Sequence, residues 1–296
     1  MPLTKDQHDH YIDILNNTKR LTAAGGYPPE IQAFASRADR EILTLEAAGH
    51  SFPCYLNRAH TVQPGAPLFI NIHGGGWYVG HEENDTYFAA WLADRIGGVV
   101  FDVDYTTTAS APWPVMFAQC VAAAQYAIAH AAEYGCDPAR ISIGGYSAGG
   151  HLTSAVVLHL LQQGRAPFAM QALCYSPADM SHGPTQDPQT NFEKRSIAFE
   201  ALVLDGDESL RQDPVFNPAC AADSLLAQFP ATLLITAGKC PFRDQDEAFA
   251  QRLIRLGVET TVRRFPEASH GFIPHFTQCW EGGAETLARH ICAARA

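Results

Sequence analysis

From about residue 42 onward, short continuous apolar runs alternate with longer stretches of helical spacing. Leu68–His73, Val99–Asp104, Ile141–Gly144, Ala169–Tyr175, Thr232–Ala237 and Thr260–Phe265 read as strands. Thr86–Ile96, Trp113–Tyr134, Ala148–Leu161, Asp244–Leu256 and Gly283–Ala294 read as helices. Strands that alternate with helices of this length form βαβ units and predict an α/β fold with a mostly parallel central sheet. Runs such as Leu233-Leu234-Ile235 fit strands flanked by helices on both faces of the sheet.

Two regions depart from the rhythm. Residues 1–40 read as helical and moderately amphipathic, broken at Gly25-Gly26-Tyr27-Pro28-Pro29. Residues 179–229 are polar, rich in Asp and Pro, and long enough to hold one or two helices. An excursion between core strands, at the end of the sheet where such folds bind ligands, predicts a helical cap. The competing reading is a disordered surface loop, but unstructured loops of this length are uncommon in compact domains. With no repeat, low-complexity tract or long charge run to divide the chain, residues 1–296 are expected to form a single domain.

Hydrophobic residues make up 47% and charged residues 17%, which excludes disorder as the dominant state. A formal net charge of −11 argues against nucleic acid and anionic membrane surfaces as partners. The polar stretch Met1–Lys19 lacks the apolar core of a signal peptide, so a cytoplasmic location is expected. The eight cysteines include no C-x-x-C pair, and no ligand cluster stands at a recognisable spacing. Reduced, mostly buried thiols are expected, with neither metal nor cofactor. A second copy of the chain is admitted as a partner.

Three motifs carry chemistry. Gly145-Tyr146-Ser147-Ala148-Gly149 is a G-x-S-x-G placed between a strand and a helix. That setting turns the backbone sharply and lifts the serine into an exposed position, with small neighbours so that the chain can crowd together. Taken alone, the serine could equally be a helix cap. His73-Gly74-Gly75-Gly76-Trp77 follows the strand that ends near Ile72. Consecutive glycines let backbone N–H groups converge on one point, as stabilising an oxyanion requires, at roughly 3–4 kcal/mol per donor. A phosphate-binding loop fits poorly, since neither of the usual glycine spacings is present. Finally, Ala268-Ser269-His270-Gly271-Phe272 places a histidine after the last strand, where it can act as general base to the serine.

In this order the motifs resemble the hormone-sensitive-lipase-like, HGGGW-type esterase branch of the α/β-hydrolase superfamily, from about Leu68 to Phe272. The resemblance implies an α/β-hydrolase fold with Ser147 as nucleophile and His270 as base. It also implies an oxyanion hole from the N–H groups of Gly75, Gly76 and Ala148. Residues 1–40 and 179–229 would together cover the site.

The sequence departs from the family at Tyr146, where an aspartate is usual, and at Thr106–Ser110, which replaces the usual R-L-A-P-E. It departs most at Cys240-Pro241-Phe242-Arg243-Asp244, where the family has D-P-L-R-D and the first aspartate is the triad acid. The cysteine leaves three readings open. Asp244, one helical turn on, reaches the imidazole; Asp179 approaches from the neighbouring strand end; or Cys240 itself faces His270. Trp77, Tyr146 and Phe272 border the motifs and predict an aromatic-walled pocket suited to a small acyl group. The expected activity is hydrolysis of small carboxylic esters through an acyl-enzyme on Ser147. An amidase or arylformamidase, or a non-catalytic ligand-binding relative, stands as the alternative.

Overall fold

The computed structural model describes residues 1–18, 26–183 and 187–295. Gly25 of the predicted N-terminal break and residues 184–186 of the predicted cap lie outside them. Eight strands form one sheet: β1 (Ala38–Ala47), β2 (His50–Ala59), β3 (Ala66–Ile72), β4 (Val99–Val103), β5 (Cys136–Tyr146), β6 (Met170–Cys174), β7 (Ala231–Ala237) and β8 (Thr260–Phe265). Their spatial order is β1-β2-β4-β3-β5-β6-β7-β8. Only the β1–β2 and β2–β4 pairs are antiparallel.

The helices are α1 (Lys5–Asn17), α2 (Pro29–Gln32), α3 (Glu83–Ile96), α4 (Trp113–His130), α5 (Ala148–Gln162), α6 (Asn191–Leu204), α7 (Asp223–Leu226), α8 (Arg243–Arg255) and α9 (Trp280–Ala293). Alternation along the strands sorts the core into two layers. Leu68, Ile70, Ile72, Ile141 and Ile143 pack with α4 and α5 on one face. Phe69, Val100, Leu233 and Ile235 pack with α3 and α9 on the other. Both faces of the central strands are therefore dry, which is why their sequence is apolar throughout rather than alternating.

The reading of residues 1–40 as helical is corrected at its end. Strand β1 begins at Ala38 and pairs with β2 along its full length, from Ala38 opposite Ala59 to Ala47 opposite His50.

Residues 179–229 contain α6 and α7 together with short 3-10 turns. Helix α6 opens with a capping box, Thr190 and Glu193 satisfying each other's backbone N–H groups. Leu15 of α1 packs on Ala198 and Leu202 of α6, and Tyr78 and Phe199 border this patch. Asp205 accepts from the N–H of Leu3 at 2.9 Å, fixing the start of the chain to the end of α6. Arg211 binds both Glu200 and Glu208 and donates to the Met180 carbonyl at 3.1 Å. Among the described residues, no helix is long and apolar enough to cross a membrane.

Candidate active site

Strand β5 ends at Tyr146 and α5 begins at Ala148, leaving Ser147 alone to make the turn with φ 53° and ψ −120°. A serine in this region is strained, and packing holds it there. A Cβ at Gly149 would overlap the carbonyl oxygen of Ile72, so only glycine lets α5 start this close to β3. The Ser147 N–H donates to the Cys174 carbonyl at 2.9 Å, tying the turn to the end of β6.

His270 lies five residues beyond the end of β8. Its Nε2 is 2.9 Å from Ser147 Oγ, and its Nδ1 is 3.1 Å from Cys240 Sγ. The residue that meets the imidazole on the side away from the serine is therefore the cysteine. Asp244, the sequence's first alternative, is corrected here. Its carboxylate binds the Arg243 guanidinium at 2.7 Å with its side chain 79% exposed, and Arg243, first among the causes, holds its pKa below the ordinary carboxylate value. Asp179 is occupied locally: its Oδ1 accepts from the Ser181 N–H at 2.8 Å, and its own N–H donates to Gln245.

Cys240 is buried, and burial pushes its thiol up to about 12. The N–H groups of Phe242 and Arg243, at the head of α8, pull in the opposite direction. For Nε2 to accept a proton, the imidazole must carry its hydrogen on Nδ1 and donate it to sulfur, so Cys240 acts as the acceptor.

Opposite the serine runs the glycine loop. Gly75 and Gly76 have φ of 109° and 61° and, with Trp77 at 60°, turn their backbone in a way that side chains resist. Behind them His73 stacks on Tyr105, ring centroids 4.3 Å apart, while the Tyr105 hydroxyl donates to the carbonyls of His73 and Gly74. Burial, and then the neighbouring His81, push His73 down to about 4, so it supports the loop as a neutral ring. Ala148 is the first residue of α5, and the opening N–H groups of a helix have no carbonyl of their own turn to bind.

The motif order, the central β3–β5 pair and the serine–histidine contact form one geometry, and the comparisons with known proteins agree with it. Residues 69–274 match the family model described as the alpha/beta hydrolase fold. The chain belongs to the α/β-hydrolase family, in its hormone-sensitive-lipase-like branch. An esterase of Gibberella moniliformis is 29% identical over 213 residues, 70% of this chain and 67% of that protein. A carboxylesterase of Mycobacterium tuberculosis is 27% identical over 241 residues, 79% of this chain and 75% of its own length. The crystal structure of a carboxyl esterase from the fungus Tuber melanosporum superposes with a TM-score of 0.80 at 28% identity, covering 98% of each chain.

The surroundings of the hydrolase's site differ from the sequence expectation. Trp77, Tyr146 and Phe272 are buried in the core instead of lining a pocket. The Trp77 indole donates to His151 Nδ1 at 3.3 Å, and His151 Nε2 binds the Phe216 carbonyl. Tyr146 packs edge-on to Phe88, and Phe272 packs against Tyr175 and Phe265.

The rings around His270 are instead Phe192 of α6, Tyr175 and Phe242, with centroids 4.9, 5.2 and 5.4 Å away. Phe199 of α6 lies so close over Gly76 that a Cβ on that glycine would overlap its ring. Phe192 and Phe199 belong to the excursion, and nothing in their local sequence says which way α6 faces. Among the signals that sequence does offer, only the apolar positions of α6 hint that one face is covered.

Proposed function

We propose that this hydrolase cleaves small carboxylic esters through a covalent acyl-enzyme on Ser147. The observation that carries the reading is His270 bridging Ser147 Oγ and Cys240 Sγ at 2.9 and 3.1 Å, with the Gly74–Gly76 loop across from the serine. As Ser147 Oγ attacks the ester carbonyl, its proton passes to His270 Nε2 and the carbonyl π electrons move onto oxygen. The N–H groups of Gly75, Gly76 and Ala148 receive that oxyanion. The imidazolium then returns its proton to the departing alcohol, and a water deprotonated by the same nitrogen releases the acid. That relatives at 27–29% identity are named esterase and carboxylesterase supports the ester as the substrate class.

Acyl size follows from the roof. Phe199 over Gly76 and Phe192 beside His270 set aromatic rings against the loop and the base, which supports a short acyl chain, and α1 packs on α6 through Leu15. Nitrophenyl acetate and butyrate should therefore turn over at least ~10-fold faster than the decanoate in kcat/KM, a difference of ~1.4 kcal/mol. Phe199→Ala should narrow or reverse that ratio by opening space above Gly76. A wild-type kcat/KM that rises steadily with chain length contradicts the short-acyl reading.

A further inference from the structure

One turn along α5 from the nucleophile stands His151, which takes no part in the proton transfers of acyl transfer. It is 1% exposed, yet both ring nitrogens and its backbone N–H are engaged, each with a different part of the site. The backbone N–H donates to the Ser147 carbonyl at 3.2 Å, in the first turn of the helix that follows the nucleophile. The ring stands between Trp77 of the glycine loop and Phe216 of the 179–229 excursion.

These partners decide where the ring hydrogen sits. An indole N–H can only donate, so Nδ1, 3.3 Å from Trp77 Nε1, must accept. A carbonyl can only accept, so Nε2 must carry the hydrogen that it gives to Phe216. A neutral ring protonated on Nε2 satisfies both, whereas an imidazolium would set N–H against N–H. Burial lowers the pKa of His151 to about 4, in keeping with the neutral ring. Trp113 and Phe216 pack edge-on against it, with centroids 5.3 and 5.0 Å away.

Both ends of this bridge are themselves held. Asn217, buried beside Phe216 in sequence, accepts from the Met180 N–H at 3.1 Å and donates to the Arg211 carbonyl at 2.8 Å. Arg211 in turn binds Glu200 of α6. Trp77 has φ 60°, a conformation that a tryptophan keeps only where its surroundings impose it. Its carbonyl accepts from the N–H and Oγ1 of Thr108 at 2.7 and 3.1 Å, and its indole bond to His151 is the third tether. The residue before it is Gly76.

We propose that His151 is a positioning residue that joins the excursion to the glycine loop and, through the Trp77 indole, holds the Gly75–Gly76 backbone where it receives the oxyanion. The Phe216 carbonyl sets the tautomer, and that tautomer leaves Nδ1 able to take the indole hydrogen. An oxyanion donor is felt as charge develops on oxygen, so loosening this tether lowers kcat and leaves KM in place.

The proposal rests on the esterase reading, which wild-type turnover lost in Ser147→Ala establishes in the same assay. The test measures kcat and KM for a short-acyl ester in variants shown to be folded by circular dichroism. His151→Phe keeps a flat ring without either nitrogen, and kcat should fall ~10- to 100-fold with KM within about 2-fold. His151→Gln, whose amide can accept from the indole and donate to the Phe216 carbonyl, should recover most of that loss. In a Trp77→Phe background, with no indole hydrogen to hold, His151→Phe should cost less than about 2-fold more. If His151→Phe does not accumulate as folded protein, Trp77→Phe with His151 intact should show the same selective fall in kcat. Nitrogen-15 NMR reads the tether without substrate, and His151 should be neutral with its hydrogen on Nε2 near neutral pH. An unchanged kcat, an equal loss with and without the indole, or a hydrogen on Nδ1 overturns the proposal.

Discussion

Replacing Ser147 by alanine should reduce ester turnover by about 10⁶-fold, to the level set by the oxyanion loop and binding alone. The serine sits at φ 53° between Tyr146 and Ala148, and its side chain makes no cap bond to α5. Alanine keeps the Cβ and the backbone bond from residue 147 to the Cys174 carbonyl, so the fold has no reason to change. Circular dichroism and thermal unfolding of the variant should match the wild type within a few degrees. Turnover above a few per cent of wild type would mean that another group attacks the carbonyl.

Cys240→Asp should raise kcat, and its size is the sharper of the two expectations. In the serine-protease template, removing the effect of the acid costs about 10⁴-fold, which sets a ceiling for what restoring a carboxylate can return. A gain of ~10- to 100-fold is expected, because only part of the setting suits an anion. In favour, the N–H groups of Phe242 and Arg243 at the head of α8 face position 240, and a carboxylate there can accept from them. Against, the position is buried, and the charge of the buried Asp246 disfavours an anion there. Asp244→Asn should leave kcat within about 2-fold, since that carboxylate forms an exposed pair with Arg243. If Cys240→Asp does not increase kcat while Asp244→Asn collapses it, the acid side of the site is not the one described.

The chain's legibility followed how local each feature is. Strands β3, β4, β6 and β7 and the second half of β5 announced themselves because they are buried on both faces and so apolar in sequence; Ile72, Tyr146 and Ala237 end at the depth where the site forms. The β1–β2 hairpin did not. Strand β1 is largely exposed, with Ile42 66% accessible, and β2 contains Pro53, which reads against a strand. Its tight turn uses Ala48 and Gly49, both at positive φ, in place of the Asn-Gly or Asp-Gly pair that signals a hairpin.

The site divides in the same way. Ser147, His270 and the Gly74–Gly76 loop were visible because each lies in a short motif whose backbone demands are local. Which residue meets Nδ1 was not visible, since Asp179 follows β6, Cys240 follows β7 and Asp244 lies in the first turn of α8, and only packing decides between them. Phe192 and Phe199 reach the site from an excursion whose register depends on α1, some 180 residues earlier in the chain. Asp246 lies within Asp244–Leu256, which the sequence reads simply as a helix. Its burial appears only once α8 is docked on β7 and β8.

The central claim is that Ser147 is made nucleophilic by His270, and covalent labelling tests it without any assumption about the natural substrate. A fluorophosphonate probe should modify the wild-type protein at one residue, with peptide mass mapping placing the adduct on Ser147. His270→Ala should slow that labelling by orders of magnitude. A wild-type protein that resists the probe, or an adduct that persists in Ser147→Ala, would contradict the account.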